Sequence, residues 1–177
     1  QTRRRGMGSK GILAGVAAVV VVALAAVIIH RLTAPVESPD KQSPAAGRTM
    51  LVVLPFENLG APEDEYFANG ITDAIAARLA GVSGLGVIAR QSAMQYKKTS
   101  KSIRQIGKEL GVAYILQGTV QREKPGDPTS RVRVIPQLVR VVDETNVWAE
   151  TYDENMAEVF RVQSDIAEWV AAQLDVA

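Results

Sequence analysis

The sequence predicts an α/β protein: a single transmembrane helix followed by a mixed β-sheet domain, in the order β-α-β-α-β-β-β-α with helices packed on the sheet. Three observations predict it. An unbroken apolar run, GILAGVAAVVVVALAAVII from Gly11 to Ile29, has the length of a bilayer core. Between Leu51 and Gly111, short apolar segments alternate with amphipathic stripes, the pattern of β-α-β units. From Val112 to Tyr152, strand-like segments are separated by turn residues, and a last amphipathic stripe follows.

The apolar run holds 19 residues without a charge. At about 1.5 Å per helical residue it spans a hydrocarbon core of about 30 Å. It contains no proline, so a helix satisfies every backbone group inside lipid. Arg3, Arg4, Arg5 and Lys10 precede it, and only His30 and Arg31 follow directly. That excess puts the N-terminus in the cytoplasm and everything after Leu32 across the membrane, a single-pass protein of the inner membrane. The competing reading is a cleaved signal peptide, whose apolar region is about 7–15 residues and ends at a small-residue site. This run is longer, and His30-Arg31-Leu32 stands where cleavage would occur. Gly11 and Gly15 form a G-x-x-x-G spacing through which two such helices can approach, a route to a homodimer. The expected division is residues 1–10 as cytoplasmic flank, 11–30 as the membrane helix, 31–48 as linker and 49–177 as the α/β domain. The chain opens on Gln1 and closes inside a helical pattern, so it is expected to be a piece of a longer protein at both ends.

Pro35, Pro39 and Pro44 make the linker extended and end the membrane helix. Leu51 to Phe56 is a continuous apolar run, a strand covered on both faces. Glu63-Asp64-Glu65 then offers negative charge to a helix N-terminus. Phe67, Ile71, Ile75 and Leu79 form that helix's buried stripe, with Gly81 as its stop. Gly70 inside it predicts a close backbone contact or a break after Asn69. Leu85 to Ala89 is a second strand. Ser102 to Gln105 has a capping-box pattern, and Ile103, Ile106 and Leu110 give a helix ending at Gly111.

Val112 to Arg122 reads as a strand, and Lys124 to Pro128 as a turn. Arg131 to Val142 is strand again, with Val132, Val134 and Leu138 on one face. Pro136 within it predicts an edge position or a bulge. Asp143 to Asn146 turns the chain, and Val147 to Tyr152 returns antiparallel. Asn155 and Glu158 cap a final helix with the stripe Val159, Val162, Ile166, Val170 and Leu174.

Composition excludes several chemistries. The net charge of +1 hides an uneven split: from residue 48 onward there are 14 basic and 17 acidic residues. A slightly acidic domain gives no electrostatic reason to contact nucleic acid. The sequence has no cysteine, which removes disulfides, thiolate metal sites and a cysteine nucleophile. Its one histidine, His30, lies at the membrane edge, so the domain has none for a Ser-His-Asp triad or a zinc site. Gly84-Leu85-Gly86 lacks the remaining residues of a phosphate loop and reads as a tight turn. The acidic pairs Asp64-Glu65, Asp143-Glu144 and Asp153-Glu154 read as solvated caps and turns rather than acid–base pairs. Lys97, Lys98 and Lys101 beside Tyr96 read as a solvated loop, with a phosphate or anionic-lipid contact as the alternative. Trp148 reads as a core residue. No catalytic residue, metal ligand or cofactor is predicted.

Several segments resemble a known family. Leu51-Val52-Val53-Leu54-Pro55-Phe56-Glu57-Asn58-Leu59 and Glu65-Tyr66-Phe67-Ala68-Asn69-Gly70-Ile71-Thr72 are similar to the opening of TolB-like amino-terminal domains, related to the FlgO-type domain. The likeness continues through Val87-Ile88-Ala89-Arg90, Ile106 to Val112, Tyr114 to Gly118 and Val147 to Asp153, roughly residues 50–175 in order. Two departures are the absence of a glycine in Asp143-Glu144-Thr145-Asn146 and Pro136 in place of a small strand residue.

The resemblance implies a binding module rather than an enzyme. It also implies a setting: a membrane helix before the domain, tetratricopeptide repeats after it, and a cytoplasmic Ser/Thr kinase, adenylate cyclase or CadC-like DNA-binding output. The expected function is an extracytoplasmic sensory or protein-interaction domain of a single-pass bacterial signalling protein. The alternatives are an envelope-assembly factor of the TolB or FlgO kind, or a tethered periplasmic enzyme. The expected partners are the bilayer, through residues 11–30, and a protein or peptide. Phe56 and Asn58, at the end of the first strand, are the candidate partner groove, because crevices at strand C-terminal ends favour binding.

Overall fold

A computed structural model describes residues 47–175. The basic flank, the apolar run with its glycine spacing, and the linker through residue 46 lie outside the described residues. Among the described residues no helix is long and apolar enough to cross a membrane.

Seven strands form one mixed sheet, in the order β3 (Leu85–Val87), β1 (Thr49–Val53), β4 (Tyr114–Arg122), β5 (Arg131–Arg140), β6 (Thr145–Ala149). Two short strands lie off this path. β2 (Glu57–Asn58) pairs with β4 beyond the end of β1, and β7 (Tyr152–Asn155) pairs with β5 beyond the end of β6. β1 runs parallel to β3 and β4, whereas β5 is antiparallel to β4, β6 and β7. The expected mixed α/β sheet is therefore present.

Helices cover the sheet unequally. α1 (Glu65–Ala80) and α4 (Val159–Gln173) pack on one face, and Ile71, Ile75 and Leu79 meet Val162, Ile166 and Val170 over Leu51, Leu116 and Leu138. Burial of each such side chain contributes about 1.5–3 kcal/mol. The other face is covered by α2 (Arg90–Met94) and α3 (Ile103–Leu110), where Ala93 and Ile106 join Val52, Leu54 and Ile115 in a smaller core. Alternation along β1 divides Leu51 and Val53 from Val52, as a strand covered on both faces requires. Farther along β4 and β5 the second face carries Gln117, Thr119, Arg133, Ile135 and Gln137, beyond the residues of that smaller core.

Ser102 caps α3 through its hydroxyl, which accepts from the Gln105 N–H at 3.2 Å. Gly111 ends the helix at φ +66°, the left-handed conformation glycine adopts without Cβ strain. Six expectations need correction. Gly70 marks neither a break nor a contact: α1 runs through it, and a Cβ there would meet nothing within 4 Å. The strand from Leu85 stops at Val87, and Ala89 opens the short helix α2, which the sequence pattern does not foretell. Pro136 lies in a central strand, and the register shift falls between Leu138 and Val139. Its carbonyl accepts from the Glu150 N–H, so its missing donor faces the gap between β6 and β7, where no ladder partner needs it. Val147 to Tyr152 is two strands, divided at Glu150-Thr151. Asn155 and Glu158 make no side-chain cap, because a 3-10 turn, Met156–Glu158, intervenes; Glu158 instead bonds Arg161 at 3.0 Å. Trp148 is half-buried against the edge of the main core rather than within it.

Asp64 departs from the reading of solvated acidic pairs. Its side chain is buried with that of Arg122, Nη1 to Oδ1 at 3.5 Å. Arg122 Nη2 also donates to the Asp127 carbonyl at 2.7 Å, and the guanidinium lies 5.5 Å from the Phe67 ring centre. Of the other acids of those pairs, four hold cations at the surface: Asp143 pairs with Arg140, Glu144 with Arg104, Asp153 with Arg131 and Arg133, and Glu154 with Arg161.

Candidate functional site

Where β1 gives way to β2, the chain from Leu54 to Asn58 borders a crevice of about 620 Å³. The segment between α2 and α3 forms the facing wall, and Gln117, Thr119, Ile135 and Gln137 form a floor on one sheet face. The volume lies in the range of about 300–1,000 Å³ common to small-ligand sites.

Phe56 and Asn58 both border this crevice, and both are occupied structurally. Phe56 is 0% exposed, and its N–H donates to Thr72 Oγ1 at 3.0 Å. Its ring fills the space above Gly118, where a Cβ would come within 2.8 Å of Phe56 Cε2. Asn58 Oδ1 accepts from the Gly60 N–H at 2.9 Å, and its Nδ2 donates to the Ala61 carbonyl at 2.7 Å. Its amide is spent on turning the chain toward α1, so the two residues shape the crevice.

The lysine cluster supplies the facing wall, and two of its members are held in ion pairs. Lys97 pairs with Glu65 and donates to Asn69 Oδ1 at 3.0 Å. The Lys97 contact holds the Glu65 carboxyl below the usual carboxylate range. Lys101 donates to both oxygens of Glu109, at 2.9 and 2.7 Å, and Tyr96 donates to Glu109 Oε2 at 2.8 Å. Those two donors, Lys101 first, lower the Glu109 pKa; the same bonds raise those of Lys101 and Tyr96. The ammonium of Lys101 also lies 5.3 Å from the Tyr96 ring centre. The wall is thereby tied to α1 at one end and to α3 at the other.

Lys98, between the clamps, is exposed, adopts φ +55° and has no ion pair among the described residues. Glu57 on β2 likewise borders the crevice, exposed and unpaired among the described residues. On the floor, Gln117 Nε2 donates to Gln137 Oε1 at 3.4 Å. That single long bond leaves the Gln117 oxygen and most of the amide hydrogens unspent. Glu57, Gln117 and Gln137 were not singled out by sequence; alternation places the two glutamines on one sheet face only once β4 and β5 are paired in register. Among the described residues, no group of three or more His, Asp or Glu side chains comes together to hold a metal ion.

No family model matches the chain. It is 40% identical over 139 residues, 78% of its length, to a Rhizobium meliloti (strain 1021) protein named "Putative adenylate cyclase 3". The chain spans 22% of that relative's length. Its fold is similar to that of TolB from Acinetobacter baumannii, with a TM-score of 0.52 at 13% identity, covering 72% of this chain and 28% of that one. A PelC dodecamer from Paraburkholderia phytofirmans gives a TM-score of 0.49 at 16% identity, covering 75% and 91%.

Proposed function

We propose that this chain is the extracytoplasmic sensory or protein-interaction part of a single-pass bacterial signalling protein, that it performs no catalysis itself, and that the crevice beside Phe56 and Asn58 is its partner groove. The observation that carries the reading is the 40% identity to about a fifth of a protein named as an adenylate cyclase. The TolB-like fold, and a match confined to about a fifth of the relative, support reading this part apart from whatever carries turnover there. The run from Gly11 to Ile29, with its basic flank, supplies the anchor, residues 31–48 the linker and residues 49–177 the sensor. Partner binding would act through the membrane helix only by favouring one of two arrangements over the other.

Reporter fusions test the topology. Alkaline phosphatase joined after Ala177 should be active and β-galactosidase inactive; the reverse pattern sinks the extracytoplasmic placement. Adenylate cyclase turnover by the purified 177-residue chain, surviving repurification and heat-killed controls, would overturn the non-catalytic part. The TolB-like fold favours a second reading, an envelope-assembly factor, which expects no cyclase, kinase or winged-helix sequence upstream of Gln1 in the gene.

A further inference from the structure

The charges around the crevice do not cancel in place. Lys97 is held by Glu65, and Lys101 by Glu109. Lys98 and Glu57 are left as one cation and one anion, both exposed at its border and without ion-pair partners among the described residues. The same crevice is lined by Gln117 and Gln137, whose amides keep unspent donors and acceptors. Leu54, Pro55, Ile103 and Ile135 supply the apolar lining.

A small ion of one sign would leave one of the two border charges without a partner. A purely apolar ligand would strand the amides, at the usual cost of unmade hydrogen bonds. A protein segment continuous at both ends brings peptide groups, but both charges only where acidic and basic side chains happen to be suitably spaced. A short free peptide brings all three elements: an ammonium, a carboxylate and peptide groups, each with one donor and one acceptor matching a glutamine amide.

We infer that the crevice binds a short zwitterionic peptide with apolar side chains. Lys98 takes its C-terminal carboxylate, Glu57 its N-terminal ammonium, and Gln117 and Gln137 read the peptide groups between. The inference rests on the groove role proposed above and is independent of the membrane topology. Both clamps hold the wall before any ligand arrives, which lowers the ordering cost of binding.

The test is calorimetric titration of the full 177-residue chain in detergent micelles with the tripeptide Ala-Leu-Ala, its N-acetylated form, its C-amidated form and the form blocked at both ends. The free tripeptide should saturate one site. Acetylation should weaken binding about tenfold in the natural protein but little in Glu57→Gln, and amidation should do the same with little effect in Lys98→Gln. Because the charges are also removed on the ligand, the result does not depend on the variants folding. No saturation up to about 10 mM peptide, or a doubly blocked form that binds as tightly as the free one, overturns the inference. The second outcome leaves the groove standing as a site for an internal protein segment, so the two readings fail separately. Heat that persists in Lys98→Gln and Glu57→Gln with undiminished discrimination against both blocked forms also overturns it.

Discussion

Asp64 and Arg122 meet in an ion pair beneath the N-terminus of α1, the two residues being 2% and 7% exposed. The pair joins the start of α1 to the end of β4, and through Asp127 to the turn that leads into β5. Asp64 Oδ2 and Arg122 Nε have no hydrogen-bond partner among the described residues. Its geometry is thus incomplete, and its value lies in neither charge being left alone.

Arg122→Met should therefore cost about 3–5 kcal/mol, because it strands a buried carboxylate. The double variant Asp64→Leu with Arg122→Met should recover most of that loss, since a well-packed apolar pair is often neutral or better. Urea midpoints of the wild type and the two variants check this. A double variant as unstable as the single one would show that the pair itself supplies the stability.

Gly118→Ala should destabilise by about 1–3 kcal/mol, the usual cost of overpacking. The added Cβ would come within 2.6 Å of the Ile135 carbonyl and 2.8 Å of Phe56 Cε2. Phe56→Leu in the same chain should relieve only part of the loss, because the carbonyl belongs to the paired strand β5. Thermal melts of the three proteins decide it; full relief would place the whole conflict on the ring.

Glu144 occupies the turn between β5 and β6 at φ +58°. The sequence likeness had marked this turn for its missing glycine, and the backbone conformation is one glycine adopts freely. Glu144→Gly should stabilise the fold by up to about 1 kcal/mol. The lost contact with Arg104, 3.5 Å apart and exposed, offsets little of that gain. A lower melting temperature for the variant would contradict the expectation.

The hydroxyl of Tyr152 is buried without a hydrogen-bond partner among the described residues. Burial first, then the charges of Asp165 and Glu150, push its pKa up to about 12 from a usual value near 10. The unfolded chain releases this proton before the folded one, so stability falls as pH rises from about 10 toward 12. Tyr152→Phe should be neutral to mildly stabilising at pH 7 and should flatten that alkaline decline. Denaturant midpoints at pH 7, 10 and 11 would refute the assignment if both proteins declined in parallel.

Much of the fold was legible because it repeats at short range. The stripes Ile71-Ile75-Leu79 and Val159-Val162-Ile166-Val170-Leu174 face the core as their spacing requires, and Ser102 and Gly111 end α3 by contacts within one turn. The short helix α2 was illegible because Arg90 to Met94 spans little more than one turn and buries only Ala93, too little to register as a stripe. The division of Val147 to Tyr152 into two strands depends on which parts of β5 remain to be paired, and no local signal carries that.

The candidate site divides in the same way. Phe56 and Asn58 could be placed at its border from the end of an apolar strand, and the lysine cluster could be seen beside Tyr96. That Phe56 is buried on Gly118, and that Glu65 and Glu109 hold two lysines and leave Lys98, follows from contacts between segments distant in sequence. The sequence by itself determined the alternation of strands and helices, their stripes and their caps, because periodicity and capping are local properties of the chain. The tertiary structure alone decided which charges remain unpaired around the crevice, because pairing is set by strand register and helix placement, and only the assembled sheet brings those partners within reach.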